Sequence, residues 1–133
     1  MANAMYTGAK TAFLSGGIDL TTDTIKVVLI DAADYTFSAA HAAFDSVPAL
    51  ARISSGTLVN GTVVAGVFDA DNVNLQNVTG DPAEALVIYK DTGVESTSTL
   101  IAYIDTGTGL PITPNGSDII VTWPDTAGKI LSL

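Results

Sequence analysis

Two segments, "EALVIYKDTG" from Glu84 and "LIAYIDTGTG" from Leu100, are apolar on both faces of an extended chain and run into the same Asp-Thr-Gly triplet. Short runs rich in branched and aromatic residues, bounded by turn formers, read as strands buried on both sides. Between them lies "DTGVESTS", a Gly- and Ser-containing loop suited to a hairpin. In such an antiparallel pair, residues whose numbers sum to about 189 or 190 stand opposite one another. Tyr89 then faces Leu100 or Ile101, and Tyr103 faces Leu86 or Val87. The echo of Tyr-x-Asp-Thr-Gly at Tyr89 and again at Tyr103 is therefore either a duplicated chemical site or a duplicated strand end. The ladder decides for the strand end. It sends Asp91 and Asp105 to opposite ends, on the order of 40–50 Å apart along a straight strand, where they cannot form one carboxylate pair.

The rest of the chain extends this pattern. A short helix is expected from about residue 4 to 15, capped by Asn3, with Met5, Tyr6, Ala9, Ala12 and Phe13 near one face and Gly16-Gly17 as its stop. "TIKVVLID" is apolar on both faces and reads as a central strand. Residues 31–50 read as a long surface excursion, with a helical turn or two between Ser38 and Asp45 ahead of Pro48. From Ala51 onward short strands alternate with turns. "ARISSGTLV" and "GTVVAGVFDA" are expected to join at an Asn60-Gly61 hairpin turn. "NVNLQNVTG" buries Val73, Leu75 and Val78 with one slip of register, and "SDIIVTW" and "GKILSL" close the chain. The reading is a mainly β, single-domain antiparallel β-sandwich or barrel-like fold over residues 1–133, with a short N-terminal helix.

Composition narrows the function classes. The chain of 133 residues has no cysteine, which removes disulfides and thiolate metal sites. Only 14% of residues are charged, against a usual share of about 25%, a hint that surface is covered by other subunits. Fourteen acids against five bases give a net charge of −9, which argues against nucleic acid and anionic membranes as partners. The start lacks a basic region and a long apolar core, so no signal peptide is expected. No run reaches the roughly 18 apolar residues of a membrane span. The chain is expected to be made in a host cytoplasm and to stay soluble.

Candidate chemistry is sparse. His41 is the single histidine and has no ligand or nucleophile at a telling spacing, so a loop or packing role is expected. "DADNVN" supplies weak calcium candidates in Asp69 and Asp71, but Val73 stands where a calcium loop needs an oxygen ligand and no glutamate closes it. Trp123 and tyrosines 6, 35, 89 and 103 are weighed as a sugar-stacking platform against core packing, which is the expectation. "LPITPNG" reads as a rigid turn. No cofactor and no catalytic residue is expected, and the chain is read as not being an enzyme.

The segments "DTIKVVLIDAADYTF", "EALVIYKDTG" and "LIAYIDTGTGLPITPNGSDIIVTW", with the helix ahead of the first, resemble small virion structural proteins of tailed bacteriophages, of the capsid cement or head-decoration type. The resemblance covers nearly the whole chain. It departs in the less charged first helix and in "WPDTAG", where those proteins more often carry Trp-Asp-Asn-Gly. It implies a homo-oligomer, trimer or dimer, that binds the major capsid protein on the outside of the mature head. Capsid or subunit interface candidates are then Tyr6, Phe13 and Leu14 of the N-terminal segment and Tyr35, Phe37 and Phe44 of the excursion. Two other readings stand beside it: a neck, tail-tube or baseplate component, and a carbohydrate-binding β-sandwich on the virion surface.

Overall fold

The computed structural model describes residues 4–105, 110–123 and 130–132. In chain order the elements are β1 (Ala4–Met5), α1 (Thr7–Ser15), β2 (Ile25–Ile30), two single 3-10 turns (Phe44–Ser46 and Ala49–Ala51) and β3 (Arg52–Thr57). Then come β4 (Thr62–Val64), β5 (Val67–Asp69), β6 (Val73–Leu75), β7 (Ala85–Lys90), β8 (Thr99–Ile104), β9 (Ile119–Val121) and β10 (Leu131–Ser132). The fold is mainly β, as expected, with one short helix. A five-stranded sheet runs β1-β8-β7-β2-β3, beside a three-stranded sheet β10-β5-β4 and a pair β6-β9. Every pairing is antiparallel. No closed barrel forms among the described residues.

The β7-β8 hairpin takes the register expected of it. Leu86, Val87 and Ile88 pair with Ile104, Tyr103 and Ala102, and a bulge then shifts Tyr89 opposite Leu100. The ladder is only six residues long, so Asp91 and Asp105 lie roughly 20 Å apart, about half the expected distance, because the hairpin folds the first strand back alongside the second; they are still at opposite ends. Asp91 closes the first repeat as an Asx turn, accepting the Gly93 N–H at 3.0 Å. The second repeat beyond Asp105 lies outside the described residues.

Side chains alternate across a strand, so the registers define two faces of the large sheet. Ser55, Val28, Val87, Tyr103 and Ala4 form one row. Gly56, Val27, Ile88, Ala102 and Met5 form the next row, on the opposite face. The first face is covered by residues 35–46, where Phe44 stacks on Tyr89 at 4.0 Å and Phe37 meets Tyr103 at 5.0 Å. On the second face β6 crosses β3 so closely that a Cβ on Gly56 would sit 2.6 Å from Val73 Cγ1. Burial on both faces explains why β2, β7 and β8 carry almost no polar residues.

Three expectations need correcting. Residues 4 and 5 are strand, paired with Tyr103 and Ala102, and Tyr6 occupies the helix N-cap; Asn3 lies outside the described residues. Pairing to β8 satisfies backbone groups that a longer helix would otherwise carry. The stop at Gly16 is as expected, in a left-handed conformation at φ 80. Second, β3 pairs with β2, not β4. Asn60 does take a positive φ, but the chain there crosses between sheets, and the tight turn sits at Ala65-Gly66 inside the supposed single strand. Third, residues 31–50 are no mere surface excursion, although the helical turn expected before Pro48 is present as the single 3-10 turn Phe44–Ser46. Tyr35, Phe44 and Val47 are buried, because their irregular spacing suits a sheet face better than one stripe of a helix.

Candidate docking surface

The six interface candidates separate sharply. Tyr6, Tyr35 and Phe44 are core residues of the chain itself. The expectation that they face a partner is corrected: the sheet's first face absorbs them, and one side chain cannot fill both positions. Phe13 and Phe37 are half-buried against that core. Leu14, one position along α1, is 92% exposed.

Other exposed apolar residues stand where the sequence singled out none. β4 holds Val63 and Val64 exposed, Val64 at 70%, and the residues from Thr62 to Gly66 form an exposed run without a charge. β4 is an edge strand among the described residues, hydrogen-bonded only to β5. Between this hairpin and the end of α1 runs a groove of about 500 Å³. Phe13, Ile18, Leu20, Val63, Phe68 and Leu131 line it. Asp19 sits at the groove as well. Its carboxylate accepts the Thr21 hydroxyl at 2.6 Å and the Thr21 N–H at 2.9 Å, and these bonds hold it below the ordinary carboxylate range. An edge strand with apolar side chains and open N–H and C=O groups is a template for another strand. In sequence "TVVAGV" showed only strand propensity, which does not report whether a strand ends up at an edge.

Charge on the chain is one-sided. Lys26 pairs with Asp91 at 3.0 Å, Arg52 with Glu95 at 2.9 Å and Lys90 with Asp23 at 3.2 Å. Asp91 is held low by the Gly93 N–H and by Lys26, and Lys26 is raised in return by Asp91. Arg52 also lies over the Phe44 ring at 4.0 Å and donates to the carbonyls of Phe44 and Val47. Three of the five bases are thus engaged by acids in pairs partly open to solvent, and the net charge of −9 leaves the chain acidic.

The other candidates resolve as structure. Asp71 accepts the Asn60 amide at 2.6 Å, and its carbonyl accepts the Trp123 indole N–H at 3.1 Å. Asp69 ends β5 opposite Thr62. Asp71 is thus built into a turn that seats Trp123. The acids close enough to share a cation are different ones, Asp31, Asp34 and Asp81. Asp31 is buried, and its Oδ1 accepts the Ala33 N–H. Nothing beyond the carboxylates points to an ion there. The aromatic residues pack as expected: Trp123 and all four tyrosines are buried. His41 accompanies Tyr35, its Nδ1 at 2.9 Å from the phenol oxygen. Among the described residues no helix is long and apolar enough to cross a membrane.

No known family model matches this chain, and no curated protein is significantly similar to it.

Proposed function

We propose that the protein is a non-enzymatic capsid decoration protein of a tailed bacteriophage. It binds the outer surface of the mature head and stabilises contacts between major capsid protein subunits. The resemblance of its strand segments to such proteins supports the reading. The observation that carries it is the exposed apolar strip of edge strand β4, with Val63 and Val64, beside a groove that Phe13 and Val63 help to line. Burying a Leu or Val side chain contributes about 1.5–3 kcal/mol, so one copy of this strip gives modest affinity. A homo-oligomer engaging several equivalent capsid sites at once multiplies it through effective concentration. A partner that binds only the expanded shell stabilises that state by mass action, by about 2.7 kcal/mol at 100 times its Kd. The net acidic charge of the chain requires that the shell's receiving surface be neutral or basic.

The test is co-sedimentation of purified protein with bare expanded heads. Saturation at a fixed ratio to the major capsid protein is expected. The double variant Leu14→Asp with Val64→Asp, both positions being exposed, should keep its thermal midpoint and lose at least about tenfold in affinity. Failure of the native protein to bind heads would overturn the assignment. Occupancy confined to one ring per particle would move it to the neck or tail.

A further inference from the structure

We propose that the hydrogen-bonded chain Tyr6–Tyr35–His41 holds residues 35–46 on the sheet only while His41 is neutral, so that acidification through the histidine range loosens that segment. This goes beyond the decoration reading and stands whichever way the head-binding test falls.

Tyr6 Oη lies 2.9 Å from Tyr35 Oη, and Tyr35 Oη lies 2.9 Å from His41 Nδ1. Tyr6 is 0% exposed and Tyr35 4%, so neither hydroxyl has ready recourse to water. Two phenolic hydrogens must therefore find acceptors within the chain itself. With Nδ1 bare, both do: Tyr6 donates to Tyr35, and Tyr35 donates to Nδ1. Burial pushes the Tyr6 phenol far above its ordinary range, and donation to Tyr35 adds to the rise, so Tyr6 keeps its hydrogen at every working pH. Burial raises Tyr35 as well, against the lowering effect of the bond it accepts from Tyr6. Donation runs from Tyr6 toward the histidine, because the reverse order would leave the Tyr6 hydrogen without an acceptor in this chain.

Protonation reverses it. Nδ1–H must then donate to Tyr35, whose own hydrogen turns toward Tyr6. The Tyr6 hydrogen is left without an acceptor in a site closed to water, and an orphaned buried donor is costly. The alternative is to separate His41 and Tyr35 from Tyr6. Tyr35, Phe37 and His41 belong to the covering segment, whereas Tyr6 and Tyr103 belong to the body, with Phe37 packed 5.0 Å from both of their rings. The strain falls on the seam between them. Three backbone bonds flank it: Thr7 N–H to Ala39 O, Leu100 N–H to Ala42 O and Phe44 N–H to Ser98 O.

The titratable groups around the seam are few. Tyr6 precedes α1, and Lys10 lies a turn along it. Tyr103 stands on β8, and Glu84 and Asp105, at the ends of β7 and β8, both bear on it. Carboxylates as a class take protons at lower pH than imidazole, so a change between about pH 7.5 and 5.5 isolates the histidine. The sign follows: stability is complete at the upper end of that window and is lost toward the lower.

Amide hydrogen exchange, corrected for intrinsic rates, tests this at pH 7.5 and 5.5. Protection at residues 35–46 should fall by up to about 10-fold at the lower pH, the limit set by linkage to one histidine, while β2 and β7 change less. His41→Gln, which accepts the Tyr35 hydroxyl without titrating, should show equal protection at both pH values, as should Tyr35→Phe. Should neither variant fold, the nitrogen chemical shifts of His41 in the native protein decide. A bare Nδ1 at pH 7.5 is expected, and an Nδ1–H tautomer overturns the proposal. Unchanged native protection, or pH dependence that survives in His41→Gln, overturns it as well.

Discussion

At Gly56 the backbone of β3 comes so near β6 that an added Cβ would lie 2.6 Å from Val73 Cγ1 and 2.9 Å from Leu75 Cδ2. Val73 is branched at Cβ and has little rotamer freedom in a strand, so the clash cannot be relieved by a side-chain swing alone. Gly56→Ala should cost about 1–3 kcal/mol through overpacking, read as a lower urea midpoint at an unchanged slope. An unchanged midpoint would mean that β6 does not lie against β3. In sequence this glycine sits in "ISSGT" and resembles a turn former. Its role as a gap in a crowded layer depends on a strand 17 residues further along, which no local pattern reports. Tyr89 and Tyr103 were partly legible: their repeat marked strand ends, and their pairing partners followed from the hairpin. That both point toward residues 35–46 was not.

The β4-β5 hairpin shows how element boundaries slip. Val64 and Val67 pair across a two-residue loop in which Ala65 has φ 53 and Gly66 φ 79. Positive φ at both central positions is the turn that matches the right-handed twist of strands, and it favours Asn-Gly. Alanine pays a steric cost there that asparagine largely avoids. Ala65→Asn should stabilise the protein by roughly 0.5–1 kcal/mol, seen as a higher thermal midpoint; a fall would show that this loop is not the turn. The sequence offered a stronger turn signal at Asn60-Gly61, and that signal misled. Asn60 has the left-handed conformation its type permits, but pairing around it is decided by β3 finding β2. The covering segment 35–46 was misread for a related reason. A stretch with alanines and scattered aromatics has no period of its own, and its order comes from the sheet beneath it.

The whole molecule exposes 6772 Å², against roughly 6,600 Å² expected for a folded monomer of 13.6 kDa. Its low charge content therefore does not reflect an unfinished core, and exposed apolar side chains stand at several places, Leu14, Leu50, Val64 and Ile120 among them. Charge acts at this scale too. A net −9 repels itself over the whole chain, while the ion pairs of Lys26, Arg52 and Lys90 are partly open to solvent and individually weak. Raising salt from about 20 mM to about 200 mM shortens the Debye length from about 20 Å to about 7 Å. The thermal midpoint should rise by a few degrees. A fall would place the three ion pairs above the long-range repulsion.

The order of residues alone determined the strand content, the β7-β8 register, the central place of β2 and the glycine stop of the helix. These follow from period-two patterning and turn chemistry, which act between near neighbours in the chain. Tertiary structure alone decided that β3 joins β2, that residues 35–46 close one face of the sheet, and that Leu14 and Val64 remain outside while Tyr6 and Phe44 go in. Such outcomes depend on contacts between residues far apart in sequence, where similar apolar segments compete for the same surface and only the assembled layers select among them.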